Sequence, residues 1–383
     1  MRPYTGDYTE QRKNEKFNFT YYTFTPRPLK GATLFKMDDE LAALLVEAHR
    51  NLGLLEGLLQ YAPNKNSFCE LMLLKECTYS RMIDYDAPGF SDILVRRGVG
   101  KGDIEPINNL ALAYKAATGM QFAAQDYSKI CGIALYGDKP KQKIGIRDTQ
   151  TFLQQAISNL KIYNPTAPEN VLPSLADISA YLYDSEDDPL IQAALVHYQF
   201  EMIHPFEKYN GVVGRILIFM VLQKVAGKAL HGLCLSEHLF FNKNEYFDIL
   251  SATQYSGGYV RWIKYFIRII NEAAQTSVAL LKKYEETIKL DEERLRVEIP
   301  QTRSFWSVYE YLKAFPVTSI PTAAKHLNLS YNSISKAFAT LQKYNLIMQG
   351  GNVTRNRVWK YACLDFIFTL PSINQTTVIS FEK

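Results

Sequence analysis

The stretch His204-Pro-Phe-Glu-Lys-Tyr-Asn-Gly-Val-Val-Gly-Arg215 decides how this chain is read, because it joins two apolar segments of helical character. Upstream, Leu190, Ile191, Ala194, Leu195, Tyr198 and Met202 spread around nearly all sides of a helical wheel. That pattern predicts a buried central helix over Leu190–Ile203. Downstream, Val213–Val225 predicts a second helix. The order is a histidine at a helix end, then Asn-Gly, then a new helix with an arginine one turn in. A helix start offers unpaired N–H groups and the positive end of a dipole, which suits a phosphate. Asn210 can cap it, and Gly211 lets another backbone or a ligand approach closely. His204 titrates near neutrality and can serve as a general base. From the residues alone two readings stay open: a phosphate-handling corner, or a helix–loop–helix corner with a packed histidine and a cap.

The rest of the chain sets the frame. With 383 residues, 47% hydrophobic and 21% charged, it reads as a globular protein of two or three domains, and disorder as the dominant state is excluded. No apolar run nears the ~20 residues of a membrane span; the longest candidate, Ile216–Val221, is followed by Gln223 and Lys224. The first residues are polar and mixed in charge, so no secretory signal is expected there. Five scattered cysteines with no CxxC pair argue against a disulfide framework or zinc site and for a reducing cytoplasm. The net charge of +4 is uneven: Gln301–Tyr361 holds eight basic residues and one acid, Glu310, beside a mildly acidic body.

Residues 1–35 read as an extended arm. Leu41, Leu44, Leu45, Ala48, Leu52 and Leu55 fall at helical spacing, and further helices are predicted over Ser67–Met82, Ile107–Ala117 and Tyr259–Leu281. Lys139–Val171 has short β-like runs with Pro165 and Pro168, which predicts a hairpin or flap. A charged helical stretch ending at Pro300 reads as a connector. Beyond it, Phe305, Val308, Tyr309 and Leu312 form an apolar helix face. Ile320–Leu327, a turn at Asn328-Leu329-Ser330 and Ser330–Tyr344 then read helix, turn, helix. Ile334, Phe338 and Leu341 point inward there, leaving Tyr331, Asn332, Ser335, Lys336 and Lys343 outward. A hairpin carrying Arg355 and Arg357 follows. His231, Cys234, Glu237 and His238 do not match metal-site spacing, so no metal ligands are assigned.

Phe200–Arg215, FEMIHPFEKYNGVVGR, resembles the signature HPF-x-[DE]-G-N-G-R-x-x-R of the Fic (filamentation induced by cAMP) family. The likeness continues in LSEHLFFNKNEYFDIL and YVRWIKYFI downstream, and LLKECTYSRMIDYDAPGFSDIL resembles the family's upstream inhibitory helix. It covers roughly residues 40 to 365. The implied fold is mostly α: a Fic-type helical core with a small β-hairpin flap, plus a C-terminal winged-helix domain. The expected division is an arm 1–35, a helical segment 36–120 with a degenerate inhibitory helix, a Fic core 121–285, a helical connector 286–300, a winged helix 301–365 and a tail 366–383.

The resemblance implies transfer of AMP from ATP to a protein hydroxyl. It makes His204 the base and assigns Asn210, Gly211 and Arg215 to the nucleotide phosphates. Tyr246, with Phe247, is placed near the adenine, a core position being the other reading. The departures bear on activity. Lys208 stands where the family has a metal-holding acid, Tyr209 where it has glycine, and Val212 where it has its first arginine. Lys208 can place one positive charge near the phosphates, yet a lysine cannot bind magnesium, which puts Mg2+ in doubt as cofactor. Ser80 and Asp84 fall on the inhibitory pattern, with an Asp84–Arg215 pair as the expectation. The flap 144–171 would take a target protein as an added strand. Lys336, Arg355 and Arg357 would meet double-stranded DNA, the other reading being a module that packs on the body or dimerises. The expected function is a protein adenylyltransferase with reduced activity; the alternative is a catalytically inactive regulator that binds DNA.

Overall fold

The computed structural model describes all residues except 1–4, 9–11, 15–17, 32–33, 139–143, 152–164, 299–301, 351–356 and 371–383. Four three-residue strands come first: β1 Gly6–Tyr8, β2 Arg12–Asn14, β3 Phe19–Tyr21 and β4 Phe24–Pro26. Then follow α1 Asp39–Tyr61, α2 Lys65–Asp84, α3 Phe90–Val99, α4 Glu105–Ala117, α5 Ala124–Tyr136 and α6 Pro168–Asp184. The central pair is α7 Pro189–Ile203 and α8 Asn210–Ala226. After a 3-10 turn at Gly227–Gly232 come α9 Leu235–Phe241, α10 Lys243–Ser256 and α11 Tyr259–Glu298. The chain closes with α12 Arg303–Ala314, β5 Val317–Thr318, α13 Ile320–Leu327, α14 Tyr331–Lys343, β6 Ile347–Gly350, β7 Val358–Tyr361 and α15 Ala362–Thr369.

Contacts divide the chain into two compact units. The first holds Met1–Leu52, Asn108–Leu230 and Leu239–Glu272; the second holds Gly53–Ile107, His231–His238 and Ala273–Lys383. This grouping is not serial, unlike the division drawn from the sequence.

The first unit is built on α7 and α8. Every residue of Leu190–Ile203 is buried, which is why α7 carries no polar stripe. Asp188 starts α7 by accepting a hydrogen bond from the Leu190 amide (2.9 Å), and Pro189 fills the first helical position. Gly214 lets the pair pack tightly: a Cβ there would lie 2.8 Å from Glu201 Oε1. The N-terminal arm pairs with itself, β1 with β4 and β2 with β3, both antiparallel. It docks through Phe24 and Leu29, each 1% exposed, and Gln199 Nε2 donates to the Arg27 carbonyl (2.6 Å).

In the second unit, α12, α13 and α14 pack with a three-stranded antiparallel sheet of order β5-β7-β6. Ile334, Phe338 and Leu341 of α14 are buried as the periodicity predicts, and Ser330 caps that helix through the Ser333 amide. Helix α3 covers the outer edge of β5. The Gly98 carbonyl accepts from the Ser319 amide (2.9 Å), and a Cβ on Gly98 would lie 1.9 Å from the Val317 carbonyl oxygen. Lys313, 2% exposed, is held by Glu292 (2.6 Å), Glu310 (2.7 Å) and Asn64 (3.0 Å).

The expected flap falls largely on 152–164, outside the described residues. Its described flanks, 144–151 and 165–167, contain no strand, and its last residues, 168–171, start α6. Pro168 explains that difference: a proline at a helix's first position is preorganised for the helix rather than a break. Among the described residues no helix is long and apolar enough to cross a membrane. All five cysteines carry free thiols.

Candidate functional site

The corner between α7 and α8 is shaped by two residues in left-handed backbone conformation. His204 ends α7 at φ 52°, and Tyr209 precedes α8 at φ 68°. Such φ values are uncommon for non-glycine residues and persist where surrounding contacts hold them. At His204 the contacts are plain. Its amide donates to Phe200 O (2.9 Å). Its ring Nδ1 meets the Glu201 carbonyl (3.1 Å). A carbonyl only accepts, so Nδ1 carries the proton and the lone pair lies on Nε2.

Asn210 closes the loop. Its Oδ1 accepts from the Phe206 amide and its Nδ2 donates to the Phe206 carbonyl, both at 2.8 Å. Only one amide orientation satisfies both bonds. Asn210 therefore clamps the turn rather than capping the helix as expected: it is the first residue of α8, Tyr209 holds the cap position with no side-chain cap bond, and the Asn210 side-chain amide is spent on Phe206. Phe206, 1% exposed, anchors the same turn in the core beside Phe200. Cys131 Sγ donates to the Lys208 carbonyl (3.7 Å), while the Lys208 side chain is exposed.

Arg147 is the participant that sequence reasoning missed. It is 4% exposed. Its Nε donates to His204 O (2.6 Å), and its terminal nitrogens to Thr149 O (2.8 Å), Ile203 O (3.0 Å) and Thr166 O. Its amide donates to Pro205 O (2.9 Å). A cation there faces the negative end of the α7 dipole. Burial pulls its guanidinium down to about 10, which leaves it charged at neutral pH. No local pattern signals such a residue, because all its acceptors are backbone carbonyls.

The remaining predicted residues are placed as follows. Gly211 is buried in the first turn of α8, and Arg215, one turn on, is 1% exposed. Tyr246 lies in the core, 1% exposed, with its hydroxyl 2.9 Å from His197 Nε2. That His197 sits among Tyr246, Trp262 and Phe266, and burial, assisted by the Arg215 charge, pulls it down to about 3. Ser80 is buried inside α2, and Asp84 is the exposed last residue of that helix, in the other unit from Arg215. Lys336 and Arg357 are exposed; Arg355 lies outside the described residues.

Glu207 is the one carboxylate between His204 and Arg215, and it points to solvent. Among the described residues no three His, Cys, Asp or Glu side chains gather closely enough to hold a metal ion. With a lysine at position 208, this donor set does not fit magnesium, a hard cation that needs oxygen ligands.

Residues 125–222, which include the corner, match the Fic/DOC family model. The chain carries a Fic domain. It is 34% identical over 82 residues to protein adenylyltransferase fic-1 of Caenorhabditis briggsae and 32% identical over 82 residues to that of Caenorhabditis elegans. Each match spans 21% of this chain but only 15% of the relative's length. The fold resembles that of a crystallised Fic family protein from Desulfovibrio desulfuricans G20, with TM-score 0.56 at 14% identity, over 86% of this chain and 98% of the other.

Proposed function

We propose that this protein is a slow protein adenylyltransferase with His204 as its base. The observation that carries the reading is the His204 ring, fixed by its Nδ1 proton at a corner that ends on the first turn of α8. In the step, Nε2 takes the proton of a protein hydroxyl. The hydroxyl oxygen bonds to the α-phosphorus of ATP, and the bond to the bridging oxygen breaks, releasing pyrophosphate. The first N–H groups of α8 at Asn210 and Gly211 face the phosphates, which the dipole favours. Arg215 takes the terminal phosphate.

Three features argue for a low rate. Lys208 and Val212 remove an acid and an arginine from the phosphate clamp, and Arg215 is 1% exposed. Each lost charge-assisted hydrogen bond removes roughly 1.5–3 kcal/mol. Lys208 supplies a point charge in compensation, a weaker one than a bridging divalent ion. A target segment would dock along 144–171.

Incubation with labelled ATP, with and without magnesium or manganese, tests this. Label on the protein that disappears in His204→Ala supports it. Label that persists in that variant, or never appears, refutes it.

The C-terminal unit supports a second reading, a regulator that reads DNA. Its helix–strand–helix–helix–strand–strand order is that of a winged helix, and Asn332, Lys336, Lys343 and Arg357 are exposed. Not all of its cations are free for phosphate: Lys313 is buried among acids and Lys360 pairs with Asp365 (2.8 Å). Duplex binding that weakens with salt, and weakens further in Lys336→Ala, Arg355→Ala and Arg357→Ala, would favour it.

A further inference from the structure

Arg147 does more than fill space, and its bonding pattern says what. Four carbonyls from three separate stretches converge on one guanidinium: Thr149, Thr166, and the Ile203–His204 pair at the end of α7. The same stretches are laced together again nearby. Gln150 Nε2 donates to Pro165 O (3.0 Å), and the Thr166 amide donates to Met202 O (3.1 Å). Thr166 Oγ1 also reaches Phe24 O (3.0 Å). The flanks at 147–151 and 165–166 are therefore bolted to the residue that carries the imidazole.

His204 needs this. Its left-handed backbone is held on the amide side by Phe200 and on the carbonyl side by Arg147 Nε (2.6 Å). The peptide planes on both sides of its Cα are thus fixed, and with them the direction in which the ring leaves the backbone. In that direction the ring places Nδ1 3.1 Å from the Glu201 carbonyl and 4.0 Å from the Glu201 carboxylate, both acceptors for its proton. A lysine at 147 keeps the charge but lacks the planar fork that serves several acceptors at once.

We propose that Arg147 is a positioning residue for His204: it fixes the left-handed backbone at 204, and so the ring's Nδ1–H tautomer, through carbonyls that also anchor the flanks 147–151 and 165–166. The proposal rests on His204 as the base, but its test does not depend on transfer activity. Arg147→Met and Arg147→Lys are compared with wild type by NMR of the imidazole ring nitrogens, which reports the tautomer directly, and by the kcat and KM for ATP in the labelling assay.

The wild type shows His204 protonated at Nδ1. Arg147→Met gives a mixture of tautomers, and Arg147→Lys keeps more of the Nδ1–H form. Where transfer is measurable, kcat in Arg147→Met falls by about 10- to 100-fold, the scale of a small misplacement of a reacting group, while KM for ATP holds. A merely structural arginine would lower stability and leave the tautomer of the folded fraction as it was. A folded Arg147→Met protein with the wild-type tautomer overturns the proposal and leaves the transferase reading standing. A tautomer shift without transfer activity in any variant sustains it while removing that reading. If Arg147→Met does not fold, Arg147→Lys decides: an unchanged tautomer together with unchanged kcat overturns the proposal.

Discussion

Gly214→Ala adds a single methyl at a tight contact between α7 and α8. The new Cβ would stand 2.8 Å from Glu201 Oε1, 3.2 Å from His197 Nδ1 and 3.3 Å from His197 Cε1. Comfortable contact begins near 3.5 Å, so all three are too short. Neither neighbour can swing into solvent, since Glu201 is 5% exposed and His197 0%. Overpacking of this kind costs about 1–3 kcal/mol. Alanine in a helix interior returns about 0.5–1 kcal/mol relative to glycine. The expected net loss is about 0–2.5 kcal/mol. Gly53 in α1 supplies the control, because a Cβ there meets nothing within 4 Å. Gly53→Ala should therefore gain about 0.5–1 kcal/mol. Urea unfolding followed by circular dichroism reads both as opposite shifts of the midpoint at constant slope. The Gly214 variant also pushes on Glu201, whose carbonyl holds the His204 ring, so labelling by ATP should fall along with stability. A Gly214→Ala protein that unfolds at or above the wild-type urea concentration would show that the two helices are not at their contact limit.

Gly98→Ala should cost more than Gly214→Ala, about 2–4 kcal/mol, because its Cβ would strike backbone rather than side-chain atoms and would break the Ser319–Gly98 bond; the same urea titration checks it. Tyr209→Gly should be neutral or stabilising by up to about 1 kcal/mol, since glycine adopts a φ of 68° without strain; a fall in melting temperature would contradict this. Burial holds His197 down to about 3 and His238 down to about 4, below the ordinary value near 6.5, so both stay neutral in the folded protein. Their contribution to stability is complete above about pH 6.5 and is lost as pH falls towards the folded values, at about 1.4 kcal/mol per pH unit for each group. His238→Gln should therefore flatten the drop in urea midpoint between neutral pH and mild acid; an unaltered drop would count against it.

The parts legible in the sequence are those written in local pattern. All-round apolar character gave away α7 and α8, and the His-Pro-Phe…Asn-Gly order gave away their corner. Periodicity with a serine cap marked α14. The parts that stayed hidden depend on partners distant in the chain. Arg147 binds carbonyls, which every residue possesses, so its acceptors leave no trace in side-chain composition. The strands of the arm are three residues long and polar in part, too short to show alternation. Pro168 fits the end of a flap by pattern, yet it opens α6. For Tyr246 the sequence leaves two readings open, an adenine contact and a core position, and its ring packs in the core beside His197.

The way Lys313 is held has a practical consequence. Of its three partners, Glu310 belongs to the segment that follows the long helix α11, while Asn64 and Glu292 lie outside it. A fragment starting after Pro300 would leave the Lys313 ammonium with Glu310 alone and bare the rim of β5 that the Gly98 carbonyl now occupies. A bared strand edge is a template for pairing with another chain. A duplex-binding experiment on this cationic cassette is therefore better made on the full chain, where Glu292, Asn64 and Gly98 keep their places.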